Sequence, residues 1–211
     1  MDLVRVPLPC FILVGGRSRR MGEPKPSMMI QGETFQSRAA RIARDVFTSV
    51  TMVDRYEKTA GSGADDVLLE QPHEGDGPIF GIAAALRNSR SDKIWILAVD
   101  YPAITFDLLS YLGGTFARSG CRLLVPEWSG KMQMLCAGYS RELLPDLEKR
   151  IADGHYRLRN LIDPATTVVM GEKDLRRRFS GEPLLNVNTR DDYEELTRQG
   201  RIDAVGQTGP E

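Results

Sequence analysis

Two stretches of this chain turn apolar and then stop abruptly. "CFILV" at residues 10–14 is halted by Gly15-Gly16, and "KIWILAV" at 93–99, apolar from its second residue, is halted by "DYP". A strand with one wet face alternates apolar and polar residues, so an unbroken run predicts a strand covered on both faces. Between and beyond these runs the spacing changes to that of helices. Residues 34–47 place Phe35, Ala39, Ile42, Ala43 and Val46 on one side, with charges between them. Further helices are predicted at 79–86, 106–116, 142–151 and 191–199, with a helical turn at 158–162. Further short strands are predicted at 50–53, 67–69, 122–125, 135–139, 168–170 and 184–187. Strands alternating with helices predict an α/β fold, a three-layer, doubly wound and mostly parallel Rossmann-like sheet with helices on both faces. A single domain over residues 1–200 is expected, with a polar, frayed tail at 201–211.

In such sheets ligands bind beyond the carboxyl ends of the strands. Three polar loops leave strand ends: 15–25, 70–78 and 100–102. The first carries Arg17, Arg19, Arg20 and Lys25 behind the paired glycines. Glycines let the backbone turn sharply and approach a ligand, and bared N–H groups make a concavity for an oxyanion. Arg contributes a planar fork and Lys a point charge, the combination that a polyphosphate needs. Arg20 and Lys25 are the expected phosphate contacts, and Arg17 and Arg19 the partly solvated ones. The loop is not a P-loop, which needs GxxxxGK[ST], nor does it hold GxGxxG. A solvated basic turn without a ligand is the other reading of the same residues.

Asp100 stands directly after 93–99, where a lone carboxylate suits a hard cation such as Mg²⁺. It also suits a turn in which Asp bonds its own backbone. "GDGPIFG", with Gly75, Gly77 and Gly81, reads by itself as a turn before a helix. His73 reads as a surface residue. No Ser–His–Asp set is legible, and phosphoryl chemistry needs none, because positioning and charge stabilisation carry it.

The totals narrow the classes. Lys plus Arg number 28 and Asp plus Glu 29, for a net charge of −1, which gives no general attraction to nucleic acid or an anionic membrane. Cys10, Cys121 and Cys136 lie in apolar runs and read as buried thiols, an odd count that does not make a disulfide framework. There is no CxxC zinc pattern. The first ten residues lack the form of a signal peptide, and no run reaches membrane-spanning length, so a soluble cytoplasmic protein is expected. Arg157, Arg159 and Arg176 to Arg178 read as solvated faces, with help to a second anionic substrate as the alternative.

"LVGGRSRRMGEPK" resembles the nucleotidyltransferase signature L-x-G-G-x-S-x-R-M-G-x-x-K, in the double-glycine form typical of molybdenum cofactor guanylyltransferases. "GPIFGI" is similar to that family's G-P-L-x-G-[IML], "AVDYPAI" to its x-x-D-x-P-x-[IVL], and "LLNVNTRDDYEEL" to its F-x-N-[VI]-N-T-x-x-[DE]. The resemblance covers about residues 10–199. It implies that Leu13, Val14 and Gly15 meet the guanine nucleotide through the backbone. Gly16, Arg20 and Lys25 would hold its phosphates, and Asp100 would bind Mg²⁺. Gly77 and Gly81 would line the cleft, and Asn186 and Asn188 its far wall, with Asn188 near the metal. Glu70 stands where the family commonly has Asp, and the resemblance implies a contact to base or ribose that the extra methylene would shift. Val14 replaces the usual Ala, and Pro24 an Asp often found before the Lys.

The implied reaction is transfer of GMP from GTP to the terminal phosphate of molybdopterin or Mo-molybdopterin, giving the guanine dinucleotide cofactor and pyrophosphate. The implied catalytic residues are Arg20, Lys25 and Asp100, and the product's receiver would be a molybdoenzyme or another cofactor-synthesis protein. Two alternatives remain at this stage. One is a related enzyme, a molybdopterin cytidylyltransferase or a sugar-1-phosphate nucleotidylyltransferase; the cytidylyl branch tends to carry Ala-Gly in place of Gly15-Gly16. The other is a non-catalytic nucleotide-binding protein.

Overall fold

The computed structural model describes residues 5–14, 28–30, 32–55, 64–70, 75–187, 189 and 191–194. The elements run β1 Val6–Leu13, β2 Met29–Ile30, β3 Glu33–Thr34, α1 Phe35–Val46, β4 Phe47–Asp54, β5 Asp66–Leu69, α2 Ile79–Asn88 and β6 Lys93–Ala98. They continue with α3 Phe106–Arg118, β7 Leu123–Trp128, β8 Lys131–Met132, β9 Cys136–Ser140, α4 Leu144–Ala152, β10 Thr167–Met170 and α5 Glu172–Arg178. Short 3₁₀ turns at Arg141–Leu143 and Leu158–Leu161 flank α4.

The main sheet has the order β10-β7-β9-β6-β1-β4-β5, with β8 paired on β7. β1 pairs in parallel with both β4 and β6, β4 with β5, and β10 with β7. β9 is antiparallel to β6 and β7. The expected mostly parallel α/β sheet is therefore the one observed.

The unbroken apolar runs divide between two cores, because successive strand residues face opposite ways. Cys10 and Ile12 of β1, with Trp95 and Leu97 of β6, join the core under α1 and α3. Phe11 and Leu13, with Ile94 and Ile96, join the core under α2 and α4. Rings fill the first core densely: Phe47 stacks on Trp95 at 6.0 Å, and Phe116 meets Trp95 edge-on at 6.5 Å. Threonines start two of the helices. The Thr34 side chain accepts from Ser37 N–H at the head of α1, and Thr105 accepts from Leu108 N–H at the head of α3.

Three expectations change. The helix over 34–47 ends at Val46, and Phe47 opens β4 with no loop between them. The run at 184–187 is not a strand: Leu184 and Val187 are buried, but Val187 bonds Asp100 backbone-to-backbone instead of joining a ladder, and Pro183 beside it cannot donate. Two-residue strands β2, β3 and β8 and the helix α5 go beyond the predicted set. The helix predicted at 191–199 is helical over its described part, 191–194.

Candidate active site

The parallel register brings four strands to one edge of the sheet. Leu13 pairs with Val53 of β4 and Ala98 of β6, and Asp54 pairs with Leu69 of β5. The residues that follow these ends, Val14, Glu70 and Asp100, therefore emerge side by side. The backbone there is fixed. Val14 N–H donates to Val53 C=O at 3.1 Å, Val99 N–H to Leu13 C=O at 3.4 Å, and Glu70 N–H to Asp54 C=O at 2.8 Å. A ligand resting on Leu13 and Val14 would meet a surface already tied to both neighbours.

Gly81 lies in the first turn of α2 and leaves room for Glu70. A Cβ on Gly81 would stand 2.8 Å from Glu70 Oε1, 3.1 Å from Leu13 Cδ2 and 3.6 Å from Val53 Cγ1. Three of the expected site residues, Leu13, Glu70 and Gly81, thus converge on one point. The turn before α2 is held from the side: Arg55 donates to Gly75 C=O at 2.8 Å and pairs with Asp76 at 3.2 Å. Gly77 in that turn has φ +135°, a conformation that glycine adopts without strain.

Asp100 is bound to the chain's other expected wall. Its C=O accepts Val187 N–H at 2.9 Å, which sets Asn186 beside it. Arg38 of α1 donates to Pro102 C=O at 2.8 Å and secures the same loop from the opposite side. Tyr101, 3% exposed, donates to Gln133 Oε1 at 3.2 Å. Asn186 Oδ1 is buried and has no hydrogen-bond partner. With the Asp100 carboxylate it offers hard oxygen donors, the kind that a Mg²⁺ site uses sparingly. Among the described residues no group of three or more His, Cys, Asp or Glu converges.

Burial and then the Asp100 charge push the Tyr101 hydroxyl well above its ordinary range, and the same two causes raise the Cys136 thiol. Neither can act as an anionic base or nucleophile near neutral pH. Cys10 is likewise raised by burial. Gly15, Gly16, Arg20, Lys25, His73 and Asn188 lie outside the described residues. The arginines read as solvated faces are exposed, and three have partners within the chain: Arg176 pairs with Glu172 and Glu182 and lies over Trp128 at 4.2 Å, Arg177 pairs with Asp174 at 3.4 Å, and Arg178 lies over Tyr111 at 4.9 Å.

The MobA-like NTP transferase domain matches residues 10–174. The chain belongs to this family. The molybdenum cofactor guanylyltransferase of Syntrophotalea carbinolica is 28% identical over 195 residues, covering 90% of each chain. A probable molybdenum cofactor guanylyltransferase of Aquifex aeolicus is 30% identical over 189 residues, covering 89% of each. Among solved structures, a molybdopterin-guanine dinucleotide biosynthesis protein A from Archaeoglobus fulgidus superposes with a TM-score of 0.77 at 25% identity, over 92% of this chain and 98% of that one.

As a MobA-like NTP transferase the chain is a nucleotidyltransferase, and of its expected site residues Leu13, Val14, Glu70 and Asp100 stand at this one sheet edge. Two clefts elsewhere contain none of the expected site residues. One, of about 370 Å³, lies beside α4 between Lys149, Asp153 and His155; the other, of about 350 Å³, lies among Arg5, Arg41 and Asp65. Sequence reasoning missed Arg38, Tyr101 and Gln133. Gln133 left one trace, a polar residue inside the otherwise apolar "KMQML". No helix among the described residues is long and apolar enough to cross a membrane.

Proposed function

We propose that this nucleotidyltransferase uses Mg²⁺ and GTP to place GMP on the terminal phosphate of molybdopterin, releasing pyrophosphate. The observation that carries the reading is the convergence of Leu13, Glu70 and Gly81 beside Asp100 at the carboxyl ends of parallel strands, in a chain of this family. The nucleotide would lie against the Leu13–Val14 backbone, with Glu70 accepting hydrogen bonds from base or ribose. Arg20 and Lys25, with the Gly15-Gly16 amides, would hold the phosphates in line for attack. Asp100 and Asn186 would hold Mg²⁺, which when bound neutralises charge on the phosphate oxygens.

The incoming molybdopterin phosphate is itself an anion and has no proton to lose at its attacking oxygen. This suits a site whose buried hydroxyl and thiol are held neutral. Its oxygen bonds to the α-phosphorus of GTP, and the bond to the β-phosphate oxygen breaks, so pyrophosphate leaves with that electron pair.

The test supplies purified protein with Mg²⁺, molybdopterin and either GTP or CTP and measures pyrophosphate. Release with GTP is expected. Release with CTP alone would overturn the guanine assignment, and release with neither would overturn the transfer itself. Asp100→Asn is expected to abolish turnover while the melting curve stays close to wild type.

A further inference from the structure

α2 differs from α1 and α3 in how it starts. Pro78 stands at its head and no side chain caps it, whereas Thr34 and Thr105 cap the other two. The turn before α2 is held instead from another element. Arg55, the residue after β4, donates through Nη2 to Gly75 C=O at 2.8 Å and through Nη1 to Asp76 Oδ1 at 3.2 Å. These two contacts are unequal. Asp76 is 75% exposed, so its ion pair is worth little. The Arg55 side chain is only 17% exposed, and its charge-assisted bond to a backbone carbonyl is the stronger tie. Two rings also hold the turn. A Cβ on Gly75 would stand 2.2 Å from Phe80 Cζ and 3.1 Å from Tyr156 Cζ, and these rings meet at 5.0 Å. The end of β4 serves Glu70 as well, because Asp54 C=O accepts the Glu70 N–H. One strand end thus fixes both Glu70 and the entry to α2, whose first turn carries Gly81.

We propose that Arg55 is a positioning residue of the nucleotide site: through the Gly75 carbonyl it sets the start of α2 at the depth where Gly81 meets Glu70 and Leu13. The inference rests on the nucleotide role of that convergence proposed above. The fit there leaves little room for movement, since even a Cβ on Gly81 would stand 2.8 Å from Glu70 Oε1. A shift of α2 toward the sheet pushes the Glu70 carboxylate aside, and a shift away opens a gap behind it. Arg55 therefore acts on the nucleotide through the place of Glu70, without touching the ligand.

The experiment is calorimetric titration of the full chain with GTP and Mg²⁺. Arg55→Ala is expected to weaken GTP binding about tenfold, and Asp76→Ala by no more than about twofold. In a Glu70→Ala background Arg55→Ala is expected to cost no more than about twofold, because the carboxylate whose place it sets is gone. Arg55→Met keeps the apolar stem and removes both donors; it should follow the same pattern and serves if Arg55→Ala fails to fold. Equal losses in both backgrounds would mean a general structural effect. A loss from Asp76→Ala as large as that from Arg55→Ala would place the effect in the exposed ion pair, and no loss from either Arg55 substitution would mean no brace. Each of these results overturns the proposal. Glu70→Ala separates the two levels. If it leaves GTP binding at the wild-type level, the nucleotide reading of this convergence falls and this inference with it. If it weakens binding while Arg55→Ala and Arg55→Met do not, only the brace falls.

Discussion

Gly81→Ala should leave the fold nearly as stable as before and still weaken nucleotide binding. The added methyl would stand 2.8 Å from Glu70 Oε1, where an ordinary contact begins near 3.4 Å, so the carboxylate must retreat by about 0.6 Å. The 3.1 Å approach to Leu13 Cδ2 requires a smaller shift of a flexible tip. Against these, alanine gains up to about 1 kcal/mol over glycine within a helix. The terms roughly cancel, and a net change within about 1 kcal/mol moves the melting point of a chain this size by about 2–4 °C at most. The consequence for binding is larger. A displaced Glu70 loses a charge-assisted hydrogen bond worth about 1.5–3 kcal/mol, or roughly 10- to 150-fold in affinity for GTP. Calorimetric titration with GTP and Mg²⁺, beside a thermal melt, measures both sides. The control is Glu70→Asp, whose carboxylate is one methylene shorter and stops short of Gly81. In that background Gly81→Ala should cost little, leaving only the Leu13 contact. Unchanged affinity in the single variant, or the same loss in the Glu70→Asp background, would refute the coupling of these two residues.

Lys25→Ala should weaken GTP binding by about 1.5–3 kcal/mol, and the difference from wild type should shrink as salt is added, which titrations at two ionic strengths would reveal. Gly138→Ala should destabilise without affecting the site directly: its Cβ would fall 2.3 Å from Phe116 Cδ1, inside the ring stack on Trp95. Overpacking of this kind costs about 1–3 kcal/mol, a fall of roughly 2–12 °C in melting point. Glu33 is held below its ordinary value by its hydrogen bond to Arg41, despite some burial. A depressed carboxyl stabilises the fold above its unfolded value, near 4.5, and that stabilisation is lost as pH falls through the lower folded value. Urea midpoints measured from neutral pH downward should therefore fall less steeply in Glu33→Gln than in wild type.

The sheet was legible because burial on both faces leaves a mark along the chain itself: β1 and β6 are written as apolar runs, and a run can be seen in one sequence. What failed did so for reasons of the same kind. Val46 and Phe47 are both buried, so nothing in their chemistry marks where helix becomes strand. Residues 184–187 look like a strand because two of them are buried, yet burial and ladder formation are separate conditions, and only the first is met there. Asp100 could be picked out because it closes the apolar run that forms β6, and Glu70 because it opens the loop after β5 at a position the family resemblance marks. The bond from Tyr101 to Gln133 could not, since it joins residues 32 positions apart. Periodicity reports which face a residue occupies, not which residue it meets. The departure of Glu70 from the family's usual Asp also changes meaning once the fold is known. In the sequence it is one methylene too many at a binding position. In the structure that methylene carries the carboxylate up to a residue without a side chain, so the longer acid and Gly81 are two halves of one fit. Substituting either alone should disturb the nucleotide, and shortening Glu70 should make Gly81 dispensable.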